Sequence, residues 1–284
     1  MVGETASGKS ALAMELARRF NGEIICADSW TVRREVNIGT AKPSSAEQAE
    51  IPHHLLDVAG PDEDFTAAVF KRLALAAIDD ITKRGKLPIM VGGTGLYIDG
   101  VIYDYGFLEA GDRIERERYN VLSIDELLAE IEAEGIELGD VDRRNKRRLI
   151  RLLETNGALP SRGELRANTL MLGLATDRTQ LHARIETRVD NMLSAGLEAE
   201  TKAIAEHYGW DCEALKGVGY SQWKDYFLGS QTLADTRDKI IKATKDLAKR
   251  QRTWFKRNDS TQWLPTPVNL QQVSDIVTTF LSIN

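Results

Sequence analysis

The sequence predicts an α/β protein in which helices flank a parallel sheet and a helical subdomain is inserted into the chain. Short apolar segments that end in polar or glycine-rich residues alternate with helical segments, which is typical of such a sheet. Charged helical sequence without strands then interrupts the alternation. We therefore expect a core of residues 1–108 and 165–284, ending in helices, and a helical insertion of residues 109–164.

A glycine-rich loop at the N-terminus predicts a phosphate site and makes the sheet P-loop NTPase-like. Its backbone N–H groups can surround a phosphate, its lysine can neutralise charge, and the hydroxyl of Ser10 can bind Mg²⁺. The strand that should precede the loop is short, since only Met1 and Val2 come first. The loop fits the pattern GxxxxGK[ST] and consists of Gly3, Glu4, Thr5, Ala6, Ser7, Gly8, Lys9 and Ser10.

The first half of the chain alternates regularly. A helix from about Lys9 to Phe20 is stopped by Asn21-Gly22, and the apolar residues 23–27 form a buried strand. A long helix follows between Phe65 and Lys83, and residues 88–91 form the next buried strand.

The second half is mainly helical. Strands are absent from Asp112 to about Leu153, where Ser123 and Glu126 fit a capping box. Residues 170–175 return as a core strand, and residues 177–256 are expected to be helices.

Polar residues follow both early strands. Asp28-Ser29 ends the first, and Gly92-Gly93-Thr94 ends the second. Because ligands of open α/β sheets bind at the carboxyl ends of the strands, we expect both groups beside the loop. Asp28 could then accept a proton, although a helix N-cap or turn residue is the alternative.

Composition excludes several classes of protein. With 42% hydrophobic and 28% charged residues the chain is globular, and it has no apolar run that could span a bilayer. Two distant cysteines argue against disulfides or zinc and favour the cytoplasm, and paired His53 and His54 lack a third metal ligand. We expect no membrane contact and a monomer.

Positive charge is concentrated in two segments although the net charge is −6. Residues 142–151 hold six bases and one acid, and residues 237–257 hold nine bases and two acids. In the second segment one helical face is basic, which favours contact with RNA phosphates over the alternative of a solvated face. That basic stripe comprises Lys242, Lys245, Lys249, Arg252 and Lys256, with Leu247, Gln251 and Trp254 on another face.

The chain resembles the tRNA dimethylallyltransferase family, also called tRNA isopentenyltransferases, in ordered blocks over nearly its whole length. After the loop and Asp28-Ser29 come Ile38-Gly39-Thr40-Ala41-Lys42-Pro43, Pro52-His53-His54-Leu55-Leu56-Asp57, Val91-Gly92-Gly93-Thr94-Gly95-Leu96-Tyr97, Asn145-Lys146-Arg147-Arg148-Leu149-Ile150-Arg151, Gly196-Leu197, Val218-Gly219-Tyr220 and Lys249-Arg250-Gln251-Arg252-Thr253-Trp254-Phe255.

This resemblance implies Mg²⁺-assisted transfer of a dimethylallyl group from dimethylallyl diphosphate to the exocyclic amine of the adenine 3′ to the tRNA anticodon. Asp28, Thr94 and Arg188 would be catalytic, and Arg184 would join the loop in binding the diphosphate, unless both arginines only balance neighbouring acids on a solvated face. Contact with the anticodon stem-loop would come from Asp28, Ser29, Trp30, Thr31, Arg116, Arg147, Arg148, Leu149, Ile150, Arg151, Lys216, Gly217, Val218, Gly219, Tyr220, Ser221, Lys245, Lys249 and Arg252.

Three positions depart from the family pattern. Thr31 and Arg33 stand where the family commonly has glutamine and tyrosine, and Glu4 replaces a customary proline. Three alternatives remain open: an ATP-binding P-loop kinase of a small metabolite, a prenyltransferase of free adenine nucleotides, and a non-catalytic RNA-binding protein. The kinase and the nucleotide prenyltransferase would leave the basic helix without a purpose.

Overall fold

Six parallel strands form the sheet, and the structure, a computed structural model, describes residues 1–108 and 111–283. The sheet order is β3-β2-β4-β1-β5-β6, so the predicted α/β class is confirmed. The strands are β1 (Val2–Gly3), β2 (Gly22–Ala27), β3 (His53–His54), β4 (Leu87–Gly92), β5 (Met171–Ala175) and β6 (Thr261–Pro265).

Helices make up most of the remaining chain. They are α1 (Lys9–Arg19), α2 (Ser45–Glu50), α3 (Ala67–Lys83), α4 (Gly95–Ile102), α5 (Arg113–Val121), α6 (Ile124–Ala133), α7 (Lys146–Glu154), α8 (Arg178–Ser194), α9 (Leu197–Tyr208), α10 (Lys224–Phe227), α11 (Leu233–Phe255) and α12 (Leu270–Ile283), with a 3₁₀ turn at Glu213–Lys216. None in the described ranges is both long and apolar enough to cross a membrane.

The strand before the phosphate loop is present although it is two residues long. Val2 of β1 pairs with Gly92 of β4 on one side and with Gly173 of β5 on the other. β1 therefore lies in the middle of the sheet, and the loop that follows it begins at the carboxyl edge.

The sheet is buried on its α1 side by an apolar core. Leu12 and Leu16 of α1 pack with Ile24 of β2, Leu174 of β5 and Val277 of α12. A second core, formed mainly by α8, α9 and α11, contains the fully buried Trp223 and Tyr220. Burial of this apolar surface is the main force that holds the elements together.

The chain forms two compact units, Met1–Ile102 with Arg166–Asn284 and Tyr103–Leu165. The second unit begins earlier than the expected insertion of residues 109–164, because the N–H of Gly163 donates to the carbonyl of Tyr103 at 2.7 Å. Its core joins α5, α6 and α7 through residues such as Leu127 and Leu149. Ser123 and Glu126 form the predicted capping box at the start of α6.

Candidate active site

The phosphate loop joins β1 to α1 at the carboxyl edge of the sheet. Gly8 precedes α1 with a φ of 97°, in the left-handed region that side chains with a Cβ disfavour. The loop N–H groups therefore cluster at the N-terminus of an 11-residue helix, where the helix dipole favours an anion.

Two internal contacts fix the shape of this loop. The Lys9 ammonium donates to the carbonyl of Glu4 at 3.2 Å. The N–H of Thr5 donates to Oε1 of Gln251 on α11 at 2.7 Å. The N–H of Thr5 is thus engaged by Gln251, whereas the Thr5 side chain lines the cavity described below, and diphosphate binding by the loop stays a prediction.

The ends of β2 and β4 meet beside the loop, as the strand order requires. Thr94 Oγ1 accepts the N–H of Ser29 at 2.9 Å and lies 3.3 Å from the Ser29 hydroxyl oxygen. Asp28 Oδ1 accepts the N–H groups of Trp30 at 2.9 Å and Thr31 at 3.4 Å. From the described residues Asp28 Oδ2 accepts no hydrogen bond, so one carboxylate oxygen holds the turn and the other can act on a ligand.

Arg184 and Arg188, two of the three arginines of α8, point toward this region. The Arg184 guanidinium donates to the Ser7 carbonyl at 3.3 Å. Their acidic neighbours form ion pairs with α11, since Glu186 pairs with Lys245 and Asp190 pairs with Arg237. Arg188 lines the cavity and is not balanced by those two acids, whereas Arg184 is exposed, so its role in binding the diphosphate stays a prediction.

A carboxylate clamp positions the loop of residues 37–40. Glu200 accepts three backbone N–H groups of residues 37–39 and also the hydroxyl of Tyr220 at 2.6 Å. The carbonyl of Thr40 then accepts a hydrogen bond from Arg188 at 3.2 Å. The clamp thus fixes the position of the Thr40 carbonyl, which accepts the hydrogen bond from Arg188.

These elements enclose a cavity of about 100 Å³. Burial and the nearby Arg188 lower the pKa of Lys9 to about 8, although Asp28 and Glu4 oppose the change. Burial raises the pKa of the Cys26 thiol to about 12, so this thiol is a neutral lining group. The lining combines polar Thr5, Lys9, Ser10, Asp28, Thr31, Thr40, His53, Arg188 and Gln251 with apolar or neutral Ala13, Ile24, Cys26, Ala41, Pro43, Val91, Gly92 and Leu247.

Several residues expected to touch tRNA are buried. Leu149 and Ile150 lie in the core of the second unit, and Tyr220 has no exposed surface. These side chains cannot contact RNA, because apolar packing or the Glu200 clamp occupies them.

The basic stripe on α11 is partly committed to ion pairs. Lys245 pairs with Glu186 at 2.7 Å, and Arg252 pairs with Glu4 at 2.8 Å. Lys249 is exposed and has no ion pair among the described residues. Lys245 and Arg252 are therefore engaged in ion pairs within the chain, and their contact with tRNA phosphates stays a prediction.

The remaining tRNA candidates are distributed over both units. Arg147 and Arg148 are exposed on α7, whereas Arg116 and Arg151 both pair with the buried carboxylate of Glu154. In the first unit, Lys216 pairs with Glu213, the Trp30 ring packs against Gly217, and Val218, Gly219 and Ser221 form the turn that follows.

Sequence reasoning missed two residues of the site. Gln251 was only placed with Leu247 and Trp254 on a helical face other than the basic stripe, yet its side chain accepts the Thr5 N–H of the phosphate loop and donates to the Gly93 carbonyl. Its position among apolar residues of one helical face was the available signal, because a buried amide must find partners. Nothing in the sequence indicated the role of Glu200, because its partners, backbone N–H groups of residues 37–39 and the hydroxyl of Tyr220, are distant in sequence.

The parallel sheet and its flanking helices form a P-loop NTPase-like fold. The IPP transferase family model matches residues 31–258. The chain is 41% identical to the tRNA dimethylallyltransferase of Anoxybacillus flavithermus, covering 93% of this chain and 88% of that one. It is 38% identical to the Staphylococcus aureus enzyme of that name, covering 98% and 96%.

Solved structures agree with these relatives. The tRNA isopentenylpyrophosphate transferase of Bacillus halodurans superimposes with a TM-score of 0.78 at 34% identity, covering 99% of this chain and 95% of that one. A eukaryotic dimethylallyltransferase acting on tRNA shares the fold, with a TM-score of 0.84 at 24% identity and coverage of 100% and 79%. The chain belongs to the IPP transferase family.

Proposed function

We propose that this protein transfers a dimethylallyl group from dimethylallyl diphosphate to the exocyclic amine of the adenine 3′-adjacent to the anticodon of tRNA, giving isopentenyladenosine. The observation that carries the proposal is the cavity, in which the cationic side chains of Lys9 and Arg188, the carboxylate of Asp28 and an apolar wall occur together. Relatives named for this reaction support the same assignment.

The proposed reaction is a single displacement. The amine nitrogen attacks C1 of the dimethylallyl group, and the diphosphate leaves with the electron pair of the C–O bond. Asp28 accepts the amine proton through Oδ2, because Oδ1 already receives two N–H groups. Lys9 and Arg188 stabilise the charge that accumulates on the diphosphate. The Thr94 hydroxyl accepts the Ser29 N–H and donates to the Ser29 hydroxyl oxygen at 3.3 Å, and its hydrogen would turn from Ser29 to an oxygen of the bound substrate.

The residues present fit a magnesium ion that shares its ligands with the substrate. No three His, Cys, Asp or Glu side chains in the described part of the chain meet as a metal cluster. Mg²⁺ at phosphate sites commonly takes one or two protein ligands together with phosphate oxygens and water. The Ser10 hydroxyl lines the cavity beside Asp28, and either can hold the ion. When bound, Mg²⁺ neutralises charge on the leaving diphosphate.

A kinase would use the same loop, but the apolar lining favours a prenyl group over a second polar substrate. The test is incubation of the protein with unmodified tRNA, Mg²⁺ and either dimethylallyl diphosphate or ATP, followed by mass analysis of the nucleosides. We expect one adenosine to gain a dimethylallyl group, and Lys9→Ala to abolish the gain. Phosphoryl transfer from ATP without prenyl transfer would identify a kinase instead.

We also propose that the protein acts as a cytoplasmic monomer. The tRNA substrate and the two free, buried cysteines suit the cytoplasm. Light scattering during gel filtration, with and without tRNA, tests the oligomeric state.

A further inference from the structure

The phosphate loop of this protein contains a buried carboxylate. The side chain of Glu4 is 5% exposed, and Arg252 of α11 approaches it with two nitrogens. Nε lies 2.8 Å from Oε1, and a terminal guanidinium nitrogen donates to Oε2 at 2.9 Å. This two-point geometry is the strongest form of arginine–carboxylate pair.

A carboxylate within the phosphate loop opposes the binding of an anionic diphosphate. Glu4 is close enough to Lys9 to influence the pKa of the ammonium, which is the group expected to meet the phosphate. An unpaired negative charge there would repel an incoming diphosphate, and in a partly buried site solvent screens that repulsion weakly.

Arg252 also has a neighbour with a related role. Gln251, the preceding residue of α11, holds the N–H of Thr5 at 2.7 Å. Consecutive residues of one helix therefore hold consecutive residues of the loop. Arg252 further donates to the Thr176 carbonyl at 3.4 Å, which ties it to the end of β5.

We propose that Arg252 is a positioning residue for the diphosphate: it neutralises Glu4 within the phosphate loop and does not contact tRNA. The inference rests on the proposed function, because it requires the loop to bind a diphosphate. Arg252 was assigned to the RNA-contacting basic stripe; we assign it instead a role in the affinity for dimethylallyl diphosphate.

The test is a double-mutant cycle with Glu4→Gln, Arg252→Met and the combined variant. The probes are inorganic pyrophosphate with Mg²⁺, measured by calorimetry, and unmodified tRNA. Arg237→Met is the matched control, because Arg237 lies on the same helix and forms a similar two-point pair with Asp190, at 2.5 and 2.9 Å. Thermal unfolding of each variant monitors folding.

We expect Arg252→Met to weaken pyrophosphate binding on the order of tenfold, the effect of one unscreened charge nearby. Glu4→Gln should bind as tightly as wild type or tighter, and the combined variant should return to within about threefold of wild type. Arg252→Lys, which keeps the charge, should recover most of the affinity. In transfer assays the KM for dimethylallyl diphosphate should rise in Arg252→Met while kcat stays near wild type.

Three results would overturn the inference. If both single variants lose pyrophosphate affinity and the combined variant does not recover, the pair only braces the loop. If Arg252→Met leaves pyrophosphate binding unchanged but weakens tRNA binding and its salt dependence, Arg252 contacts RNA. If the wild type does not bind pyrophosphate, the proposed function fails and takes the inference with it, a result distinct from the other two.

Discussion

The two carboxylate oxygens of Asp28 have different surroundings: one accepts the hydrogen bonds of a turn, and the other is available to a ligand. Oδ1 accepts the N–H groups of Trp30 and Thr31, which orients the carboxylate at the end of β2. Oδ2 accepts nothing from the described residues and belongs to a side chain that lines the cavity. The two interpretations offered by the sequence, turn residue and proton acceptor, are therefore compatible, because the hydrogen bonds of the turn fix the acceptor in place.

Replacing Asp28 with asparagine should lower the rate of prenyl transfer by roughly 10²–10⁴-fold, the usual worth of general-base assistance. Asparagine keeps the size and can still accept the Trp30 N–H, but it cannot take a proton. Single-turnover transfer across pH at saturating substrates measures the loss. Binding of tRNA should change little, and a near wild-type rate would exclude Asp28 as the base.

Magnesium binding is the rival role for Asp28, and the same variant separates the two. Loss of a metal ligand would reduce affinity for the diphosphate, and added Mg²⁺ would restore it. Loss of a base would leave affinity intact and remove the pH dependence of the chemical step.

Lys9 should make diphosphate binding sensitive to pH near neutrality. Its pKa of about 8 lies below the ordinary 10.5, chiefly because burial disfavours the charge, so the unliganded loop loses a positive charge as pH rises through 8. Pyrophosphate affinity should therefore fall up to about tenfold per pH unit above 8. Calorimetry at pH 7, 8 and 9 checks this, with Lys9→Arg as a control whose affinity stays level.

The same pKa shift has a consequence for stability. A lysine whose folded pKa is depressed destabilises the fold while it is charged, and the penalty disappears as pH rises from 8 towards 10.5. Lys9→Met should raise the free energy of unfolding at pH 7 by about 1–3 kcal/mol, with a smaller gain at pH 10. Urea unfolding without ligand measures the difference, and equal stability at pH 7 would contradict the buried charge.

At the scale of elements, long periodic segments were predictable and short ones were not. The helix predicted from Lys9 to Phe20 ends at Arg19, and the strand at residues 23–27 gains only Gly22. Both carry a clear apolar pattern. β3 has only two residues, His53 and His54, and its strand character comes from pairing with β2 rather than from its own sequence.

In the site, too, some residues could be predicted from the sequence and others could not. The loop, Asp28 and Thr94 follow strands that the sequence reveals, and parallel order brings their carboxyl ends together. The pairs Glu4–Arg252 and Glu200–Tyr220 join residues far apart in the chain. Such pairs depend on how helices pack, which local periodicity does not encode, so charge counting assigned Arg252 to a free stripe.

A buried charge network ties elements together at the opposite end of β2. Glu23 is 2% exposed and pairs with Arg84, the cap of α3, and with Lys86 before β4, while His54 of β3 bonds it at 2.7 Å. Hydrogen bonds from Arg84, then from Lys86 and His54, hold the pKa of Glu23 well below its ordinary 4.5.

Glu23→Gln should lower the free energy of unfolding by about 1–3 kcal/mol at pH 7, less than a fully buried pair because Arg84 is 40% exposed. The depressed pKa means that this stability is present above pH 4.5 and is lost as pH falls further. The difference from wild type should therefore shrink between pH 5 and pH 3 in urea unfolding. Glu50→Gln, which removes an exposed pair with Arg18, should lower the free energy of unfolding far less than Glu23→Gln, because solvent screens that pair.

At the scale of the whole molecule, the two units are assigned different functions, which the net charge of −6 does not reveal. Donor chemistry is assigned to the first unit, where the loop, Asp28 and the α8 arginines lie. The second unit supplies exposed Arg147 and Arg148 on α7 and has a core of its own. We expect tRNA recognition to depend on both units and diphosphate binding on the first alone.

Excising the second unit tests this division. The N–H of Arg166 donates to the carbonyl of Ile102 at 2.7 Å, so the two ends of the first unit are adjacent and a linker of two or three glycines can join them. None of the described residues that line the cavity is removed. The shortened chain should unfold cooperatively and bind pyrophosphate with Mg²⁺ within about threefold of the full protein.

Prenyl transfer to tRNA by the same shortened chain should fall far more than diphosphate binding. Exposed arginines that contact RNA phosphates each contribute to affinity and to its salt dependence, so tRNA binding should weaken and its salt slope should flatten. Arg147→Gln with Arg148→Gln in the full chain is the matched variant and should shift the slope by at most about two units. If the shortened chain keeps wild-type tRNA affinity, recognition resides in the first unit, and the exposed lysines of α11 become the main candidates for phosphate contact.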